Sequence, residues 1–364
     1  MLDKSPICFT CQIEYQPADL TAMDPDTRKP LPPEPKDRSS DTWYDWNERA
    51  RIIVCPKKHL VASVGRPRLA AVLVGDTEAG KDAMLNAVIH AFENKTMDAR
   101  GLHAVVREDQ RPAWEATRPI DFKGAATQPW TRKTPVQPVF LELVDRSTDS
   151  NLFDIIFFNH GGEDFLNHRS VQVSTKTIWE RCPSLARADI LVIFVPPHGL
   201  LDLPVDRGGS NDEERRFRTR EATEAVSRTL REKRKYRADL TVVLALTKSD
   251  HYRGLEGFPD NVLSPRRHGR NDLEPLDITM ANEQADLHAF MMRYGGAEII
   301  KPAEKINGRY FIVALSGTGD DREGRAPAPG SAPDRSLDPI LIRMMREKIG
   351  RLTAADIKKS RSKR

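Results

Sequence analysis

The sequence lacks a hydrophobic run long enough to cross a membrane. Its longest apolar stretches, residues 69–74, 190–195 and 240–246, are far shorter than the roughly 20 residues that a spanning helix needs. The first twenty residues contain no apolar signal region either. The sequence therefore predicts no membrane span and a cytoplasmic location.

An excess of charge of one sign is also nearly absent. The 57 basic residues are balanced by 53 acidic ones, which leaves a net charge of +4. So small an excess on a long chain gives no reason to expect nucleic acid as a partner. Residues 353–364 are basic and are interpreted as a solubilising tail, with an electrostatic hook for an acidic partner or an anionic lipid as the alternative.

Apolar runs of strand length alternate with helical patterns along most of the chain. This alternation is typical of a mostly parallel sheet with helices on both faces, an α/β fold. The runs 136–144 and 153–159 are separated by only eight residues, too few for a helical crossover, so they should form an antiparallel hairpin. The predicted strands are 69–75, 136–144, 153–159, 190–195, 240–247 and 310–315. We divide the chain into an N-terminal arm, residues 1–65, an α/β domain, residues 66–352, and the basic tail, residues 353–364.

A glycine-rich turn follows the first predicted strand of this domain. Gly75 and Gly80 are separated by four residues and Lys81 follows directly, which is the spacing of a phosphate-binding loop. In such a loop the backbone amides and the start of the next helix face a polyphosphate, and the lysine reaches the terminal phosphates. Lys81 is also a candidate catalytic residue. The alternative is an ordinary strand-to-helix turn with an incidental lysine. The predicted loop residues are Gly75, Asp76, Thr77, Glu78, Ala79, Gly80, Lys81 and Asp82.

The last residue of this loop departs from the usual pattern. A serine or threonine normally offers its hydroxyl to Mg²⁺ here, whereas this chain has Asp82. A carboxylate is a good ligand for a hard cation, but without the metal it repels the phosphates of the nucleotide. We therefore expect nucleotide binding to depend on Mg²⁺ or to be weak.

A second candidate magnesium position lies at the end of the strand 153–159. P-loop switch proteins have Asp-x-x-Gly at this point, and here the matching residues are Asn159, Gly162 and Glu163. The amide of Gly162 is predicted to sense the terminal phosphate and Glu163 to orient water, although a helix-starting acid is an alternative role for Glu163. Relative to the usual pattern, Asn159 removes a negative charge and Asp82 adds one. The two changes therefore indicate either that Asp82 compensates for the charge lost at Asn159 or that the site has decayed.

The strand 240–247 leads into a candidate base-reading segment, Thr247-Lys248-Ser249-Asp250. It matches the guanine-reading pattern Asn/Thr-Lys-x-Asp, in which the carboxylate accepts two hydrogen bonds from guanine and the lysine stem packs over the base. Adenine cannot satisfy Asp250 in this way. The alternative is a simple strand-end turn. Ser316, after the last predicted strand, is expected to make a short backbone contact to the base.

Three cysteines, Cys8, Cys11 and Cys55, precede the α/β domain. Together with these cysteines, the segments above resemble the TRAFAC-type bacterial GTPases of the double-GTPase group, over residues 8–350. The resemblance implies a Ras-like P-loop fold, binding of GTP and GDP with Mg²⁺, and a regulatory role exerted through a protein effector. It also implies a threonine of the first switch, for which Thr134 is the candidate. Members usually keep serine or threonine after the loop lysine and Asp-Thr-Ala-Gly-Glu-Asp after the third strand. The departures at Asp82 and Asn159 put efficient GTP hydrolysis in question.

Three of the four cysteines precede the α/β domain, as Cys8-x2-Cys11 and Cys55. In a reducing compartment this pattern favours a metal over a disulfide. The resembling family often carries Cys-x2-Cys in both halves, and since Lys58 stands at the fourth position, His59 would complete a Zn²⁺ site. Without zinc the arm is expected to be disordered.

Three functions remain open from the sequence. They are a slow GTP hydrolase acting as a switch, a nucleotide-binding scaffold for protein assembly that does not hydrolyse GTP, and a phosphotransferase. The last is disfavoured, because the Thr247–Asp250 segment would then have no task.

Overall fold

The structure is a computed structural model. It describes residues 7–8, 11, 13–24, 27, 29–33, 35–37, 40, 42, 52–61, 68–76, 79–93, 102–106, 139–145, 150–165, 178–200, 202–203, 212–233, 239–263, 276–307, 310–316 and 332–346. The predicted site residues Thr77, Glu78 and Thr134 and the basic tail, residues 353–364, lie outside the described residues.

The N-terminal region contains five short strands. They are β1 (Ile7–Cys8), β2 (Ile13–Glu14), β3 (Thr21–Met23), β4 (Ile52–Val54) and β5 (Leu60–Val61). β1 and β2 form one antiparallel pair, and β3, β4 and β5 form a small antiparallel sheet. The sequence did not predict these strands, because two or three residues are too few to show an alternating pattern.

The α/β domain is built on a seven-stranded sheet. Its strands are β6 (Arg68–Val74), β7 (Leu102–Val106), β8 (Val139–Asp145), β9 (Ser150–Asn159), β10 (Ile190–Val195), β11 (Thr241–Thr247) and β12 (Tyr310–Leu315). Their spatial order is β12-β11-β10-β6-β9-β8-β7. The strands from β12 to β9 are parallel, whereas β8 runs antiparallel to β9 and β7 antiparallel to β8.

Helices cover both faces of this sheet. They are α1 (Lys81–Glu93), α2 (Ile178–Arg181), α3 (Asp212–Lys233), α4 (Leu276–Arg293), α5 (Ala297–Asn307) and α6 (Asp338–Arg346). Short 3-10 helices lie at Pro17–Asp19, Gly162–Asp164, Pro183–Arg187, Pro197–Gly199, Ser249–Tyr252, Asp260–Leu263 and Ala332–Leu337. No helix in the described part of the chain has both the length and the hydrophobicity of a bilayer-crossing segment.

The sheet has an apolar core on each face, and the alternation of side chains along the strands assigns residues to one or the other. From β6, Leu69, Ala71 and Leu73 pack with α1 and α6. Ala70, Val72 and Val74 pack on the opposite face with α3 and α5. Because β6 is buried on both faces, its sequence is a continuous apolar run rather than an alternating one.

The predicted α/β fold and its hairpin are confirmed. β8 and β9 pair antiparallel from Val139 opposite Phe157 to Asp145 opposite Ser150. The sequence missed β7, which pairs antiparallel with β8 from Leu102 opposite Asp145 to Val106 opposite Leu141. Five residues at the edge of the sheet give too short a pattern to be assigned from sequence.

A buried arginine anchors α6 beneath the sheet. The side chain of Arg343 is fully buried. Its Nη2 donates to Asp239 Oδ2 at 2.6 Å, and its Nη1 donates to the Asp239 carbonyl and to Thr241 Oγ1. The buried carboxylate of Asp189 lies 3.9 Å from Nη2 and accepts the backbone N–H of Ala70.

We expect the substitution Arg343→Met to lower the free energy of unfolding by about 3–5 kcal/mol, because it removes a buried cation that bonds to Asp239 and faces the buried carboxylate of Asp189. Urea denaturation followed by circular dichroism measures this. The control is Arg228→Met on α3, because Arg228 forms an exposed pair with Glu224 and should change stability little. Equal effects of the two substitutions would contradict an anchoring role for Arg343.

Candidate nucleotide-binding site

The glycine-rich loop lies at the carboxyl end of β6 and leads directly into α1. Gly80 has a φ angle of +91°, in the region that favours glycine. A Cβ atom on Gly75 would approach Phe194 Cβ to 2.9 Å, so only glycine fits there without a shift. The first turn of α1 closes with a bond from the N–H of Met84 to the carbonyl of Gly80 at 2.9 Å. The chain thus positions the start of a helix at the edge of the sheet where parallel strands end.

Lys81 folds back over this loop. Its Nζ donates to the carbonyl of Gly75 at 2.6 Å and to that of Asp76 at 2.8 Å. The side chain is buried, which fixes one positive charge beside the backbone of the loop. A buried ammonium group at the start of a helix suits an anionic ligand such as a phosphate chain.

The two candidate magnesium residues are in direct contact. Nδ2 of Asn159, the last residue of β9, donates to Oδ1 of Asp82, in the first turn of α1. Oδ1 of Asn159 is buried and has no hydrogen-bond partner among the described residues. A carboxylate and an amide oxygen are hard ligands, so this pair would fit Mg²⁺ once the Asn159 amide had turned its oxygen toward Asp82.

The candidate switch residues Gly162 and Glu163 come three and four positions after the end of β9. They belong to the short 3-10 helix Gly162–Asp164, which closes with a bond from the N–H of Phe165 to the carbonyl of Gly162. Gly162 is buried. The side chain of Glu163 lies outside what the structure describes.

The candidate base-reading segment, Thr247–Asp250, follows β11 and adjoins the loop. A Cβ on Gly80 would lie 3.5 Å from Cβ of Thr247. Lys248 is exposed and has a left-handed backbone with φ +53°. The carboxylate of Asp250 is nearly buried, and its Oδ1 accepts a bond from Ser316 Oγ at 3.1 Å. The ends of β6, β11 and β12 therefore bring the loop, Asp250 and Ser316 to one edge of the sheet.

Two residues near this edge were not predicted. Arg218 on α3 lies 3.9 Å from Oδ2 of Asp76 in the loop, and Nε2 of His251 lies 3.7 Å from Oδ2 of Asp250. Arg218 stands in a helix dense with charges, and no motif distinguishes it from its neighbours. Its position depends on how α3 packs, which the sequence does not specify.

The N-terminal cluster brings together Cys8, Cys11, Cys55 and His59, with ligand atoms all within 4.8 Å of one another. Sγ of Cys11 lies 3.7 Å from Sγ of Cys55 and 3.1 Å from Nδ1 of His59. Tetrahedral zinc ligands are separated by roughly 3.5–3.8 Å, so this donor set fits Zn²⁺. Lys58 takes a left-handed backbone with φ +62° in the turn, which lets His59 rather than Lys58 face the cysteines.

The thiols of this cluster have unequal acidity. Burial raises the pKa of Cys8 to about 12. Burial also opposes ionisation of Cys55, but the backbone N–H groups of His59 and Lys57 donate to its sulfur and lower its pKa overall. These contacts therefore favour the thiolate form of Cys55, and the thiolate is the form that can bind a metal.

The strand order, the glycine-rich loop and the Thr247–Asp250 segment define a Ras-like P-loop domain of the GTPase class. A family model described as Double-GTPase 2 matches residues 71–290, more than half of the chain. The protein belongs to this double-GTPase family. The match extends from β6 into α4 and includes the loop, the β9 end and the base-reading segment. No curated protein matches the chain. Family membership implies that the protein binds guanine nucleotide.

Proposed function

We propose that the protein is a guanine-nucleotide-dependent regulatory switch that hydrolyses GTP slowly and acts through a protein effector. The observation that carries this proposal is that the candidate base reader and the glycine-rich loop are neighbours. Ser316 donates a hydrogen bond of 3.1 Å to Asp250, and Thr247, at the start of the same segment, adjoins Gly80 of the loop. A base reader and a phosphate loop on one sheet edge suit a single nucleotide that spans them.

In this proposal the loop residues 75–82, which include Thr77 and Glu78, surround the phosphates. Lys81 neutralises part of the phosphate charge. Asp250 accepts the two N–H groups of the guanine edge, while the exposed stem of Lys248 covers the base. Ser316 supports Asp250 from β12. The amide of Gly162 and the hydroxyl of Thr134 would contact the terminal phosphate.

Magnesium would be held by Asp82 and Asn159. A magnesium ion held there would supply positive charge against the charge that develops during phosphoryl transfer. Asp82 would supply the negative charge that an aspartate at position 159 supplies in the usual pattern. Glu163 would orient the attacking water.

A non-hydrolysing scaffold is the alternative, and one contact favours it. The amide of Asn159 donates to Asp82, so this carboxylate has a protein partner without any metal. Nucleotide binding would then stabilise one conformation for protein assembly, without turnover.

Titration calorimetry with GTP, GDP and ATP, with and without Mg²⁺, tests the proposal, with phosphate release measured in the same samples. Guanine-selective, magnesium-dependent binding with slow release supports the switch. Binding without release supports the scaffold. Absence of nucleotide binding would overturn both.

The compensation at the magnesium site makes its own prediction. Asp82→Ser should weaken Mg²⁺-dependent GTP binding by removing the only carboxylate of the pair, and Asn159→Asp should bring two carboxylates into contact and repel nucleotide. The double substitution Asp82→Ser with Asn159→Asp restores one charge and the usual pattern. We expect it to recover binding to within about threefold of the natural protein and to raise the hydrolysis rate about tenfold or more. Additive losses in the double variant, measured by calorimetry and phosphate release, would contradict compensation.

We further propose that residues 1–65 form a zinc module ahead of a nucleotide-binding domain, residues 66–352. Cys11→Ser should remove about one zinc ion per chain, measured by plasma mass spectrometry, because each ligand of a closed structural site is needed. Thr27→Ser in the same region is the control and should leave the zinc content unchanged. Equal zinc content in the natural protein and in the two variants would exclude the module.

A further inference from the structure

We propose that His160, Asp164 and Cys182 form a second metal site, for a transition-metal dication such as Zn²⁺, directly beside the Gly162 turn. The site itself is independent of nucleotide binding, but its effect on Gly162 rests on the proposed function. The three residues come from the end of β9, from the 3-10 helix Gly162–Asp164 and from the residue that follows α2.

The ligand atoms of these residues already lie close together. One nitrogen, one carboxylate oxygen and one sulfur are all within 4.8 Å of one another. Nδ1 of His160 lies 3.7 Å from Oδ2 of Asp164. Tetrahedral zinc separates such ligands by roughly 3.5 Å, so small side-chain rotations complete the geometry. Water would take the fourth position.

The imidazole of His160 is held in the orientation that a metal ligand needs. His160 is buried, with 4% of its surface exposed, and its Nε2 is paired with Ser184 Oγ at 2.7 Å. Its Nδ1 is also buried and has no hydrogen-bond partner among the described residues. Metal-binding histidines commonly use the other ring nitrogen for an orienting hydrogen bond, and Ser184 supplies that bond here.

Two aromatic rings fix the same imidazole from its sides. The ring of Phe158 lies parallel to it at a centroid distance of 6.5 Å, and that of Phe165 meets it edge-on at 5.7 Å. Together with the burial of the side chain and its contact to Ser184, these rings restrict rotation of the imidazole. A buried ring nitrogen that makes no hydrogen bond costs free energy, and a metal ion would satisfy it.

Cys182 supplies the softest ligand. Its side chain is completely buried, and burial, with the nearby charge of Asp164, raises the pKa of its thiol above the ordinary value. A metal would reverse this preference. The metal–sulfur bond forms as the S–H bond breaks, the proton passes to solvent, and no oxidation state changes.

The ligands lie on both sides of a switch residue. His160 is two residues before Gly162 and Asp164 is two residues after it. A metal bound to both would fix the backbone of the turn and with it the direction of the Gly162 N–H. Metal occupancy would thus set how readily this turn responds to a terminal phosphate.

Cobalt substitution separates this site from the N-terminal cluster, because that cluster offers three thiolates and this one offers a single thiolate. The Cys11→Ser protein, which should lose the N-terminal site, is loaded with Co²⁺ and examined by absorption spectroscopy and metal analysis. We expect about one ion per chain with a thiolate-to-cobalt band of roughly one third of the N-terminal intensity. Adding Cys182→Ser should abolish the band, and adding His160→Gln should weaken metal binding at least about tenfold.

The matched control is Ser184→Ala, which keeps all three ligands and removes only the orienting hydrogen bond. We expect it to retain the cobalt band while binding the metal about tenfold more weakly. If Cys182→Ser impairs folding, as judged by circular dichroism, the His160→Gln protein decides the question, and an unchanged cobalt affinity in that protein overturns the second site. A Cys11→Ser protein that binds no cobalt overturns the second site, whether or not it binds GTP. If the metal content is unchanged by Cys11→Ser but lost on Cys182→Ser, the result supports the second site and excludes the N-terminal one.

Discussion

Lys81→Ala is expected to abolish most of the affinity for both GTP and GDP. The side chain of Lys81 is buried and its ammonium group lies on the carbonyls of Gly75 and Asp76, within the loop proposed to hold the phosphates. Losing the charge-assisted contacts of a buried cation costs about 2–4 kcal/mol, or about 30- to 1000-fold in affinity. Calorimetric titration with GDP and Mg²⁺ measures the change.

The control for this substitution is Lys301→Ala on α5, where the lysine is exposed. It removes the same charge from the protein and should leave the affinity unchanged. Circular dichroism should show both variants folded. Equal GDP affinity in the Lys81→Ala protein and the natural one would mean that the loop does not bind phosphate.

Asp250→Asn should exchange guanine for xanthine as the preferred base. The carboxylate of Asp250 accepts hydrogen bonds, whereas an amide presents one acceptor and one donor. Guanine has two N–H donors at this edge, and the second would meet the amide N–H of asparagine. Xanthine has a carbonyl in place of the amino group, so it pairs with the amide. We expect GTP affinity to fall about 100-fold or more and XTP to bind more tightly than GTP.

Competition of GTP and XTP against a fluorescent guanine nucleotide measures this change. Asp286→Asn, at an exposed position on α4, is the matched control and should keep the preference for GTP. ATP should bind neither protein well, because adenine offers a different pattern of donors and acceptors. A parallel loss of GTP and XTP binding would mean that Asp250 supports the fold but does not read the base.

The sequence predicted the parallel core well because its strands are buried on both faces. Continuous apolar runs such as β6 and β11 are easily seen, and a glycine-rich turn directly after such a run specifies a loop at the carboxyl end of the strand. The edge strand β7 and the short N-terminal strands escaped prediction. Their pairing depends on neighbours distant in sequence, and local propensity carries little of that information.

Site residues could be predicted where a sequence motif specifies their spacing. They could not be predicted where tertiary packing alone brings them together. Lys81, Asp250 and Ser316 follow strands, so their common edge follows from the topology. The contact between Asn159 and Asp82 joins the end of β9 to the first turn of α1, and the sequence already related the two residues by charge. The approach of Arg218 to Asp76 depends on the rotation of α3. The contact between Ser184 and His160 depends on the path that the chain takes after α2. Neither contact leaves a local pattern in the sequence.

The hydrogen bond from Ser316 to Asp250 also bears on the order in which the protein acquires its ligand. Ser316 follows β12, so Asp250 gains this support only after β12 has docked beside β11. A nascent or partly unfolded chain that lacks this docking would hold guanine poorly even with an intact phosphate loop. By binding preferentially to the native state, guanine nucleotide would therefore stabilise the completed sheet over its partly folded forms.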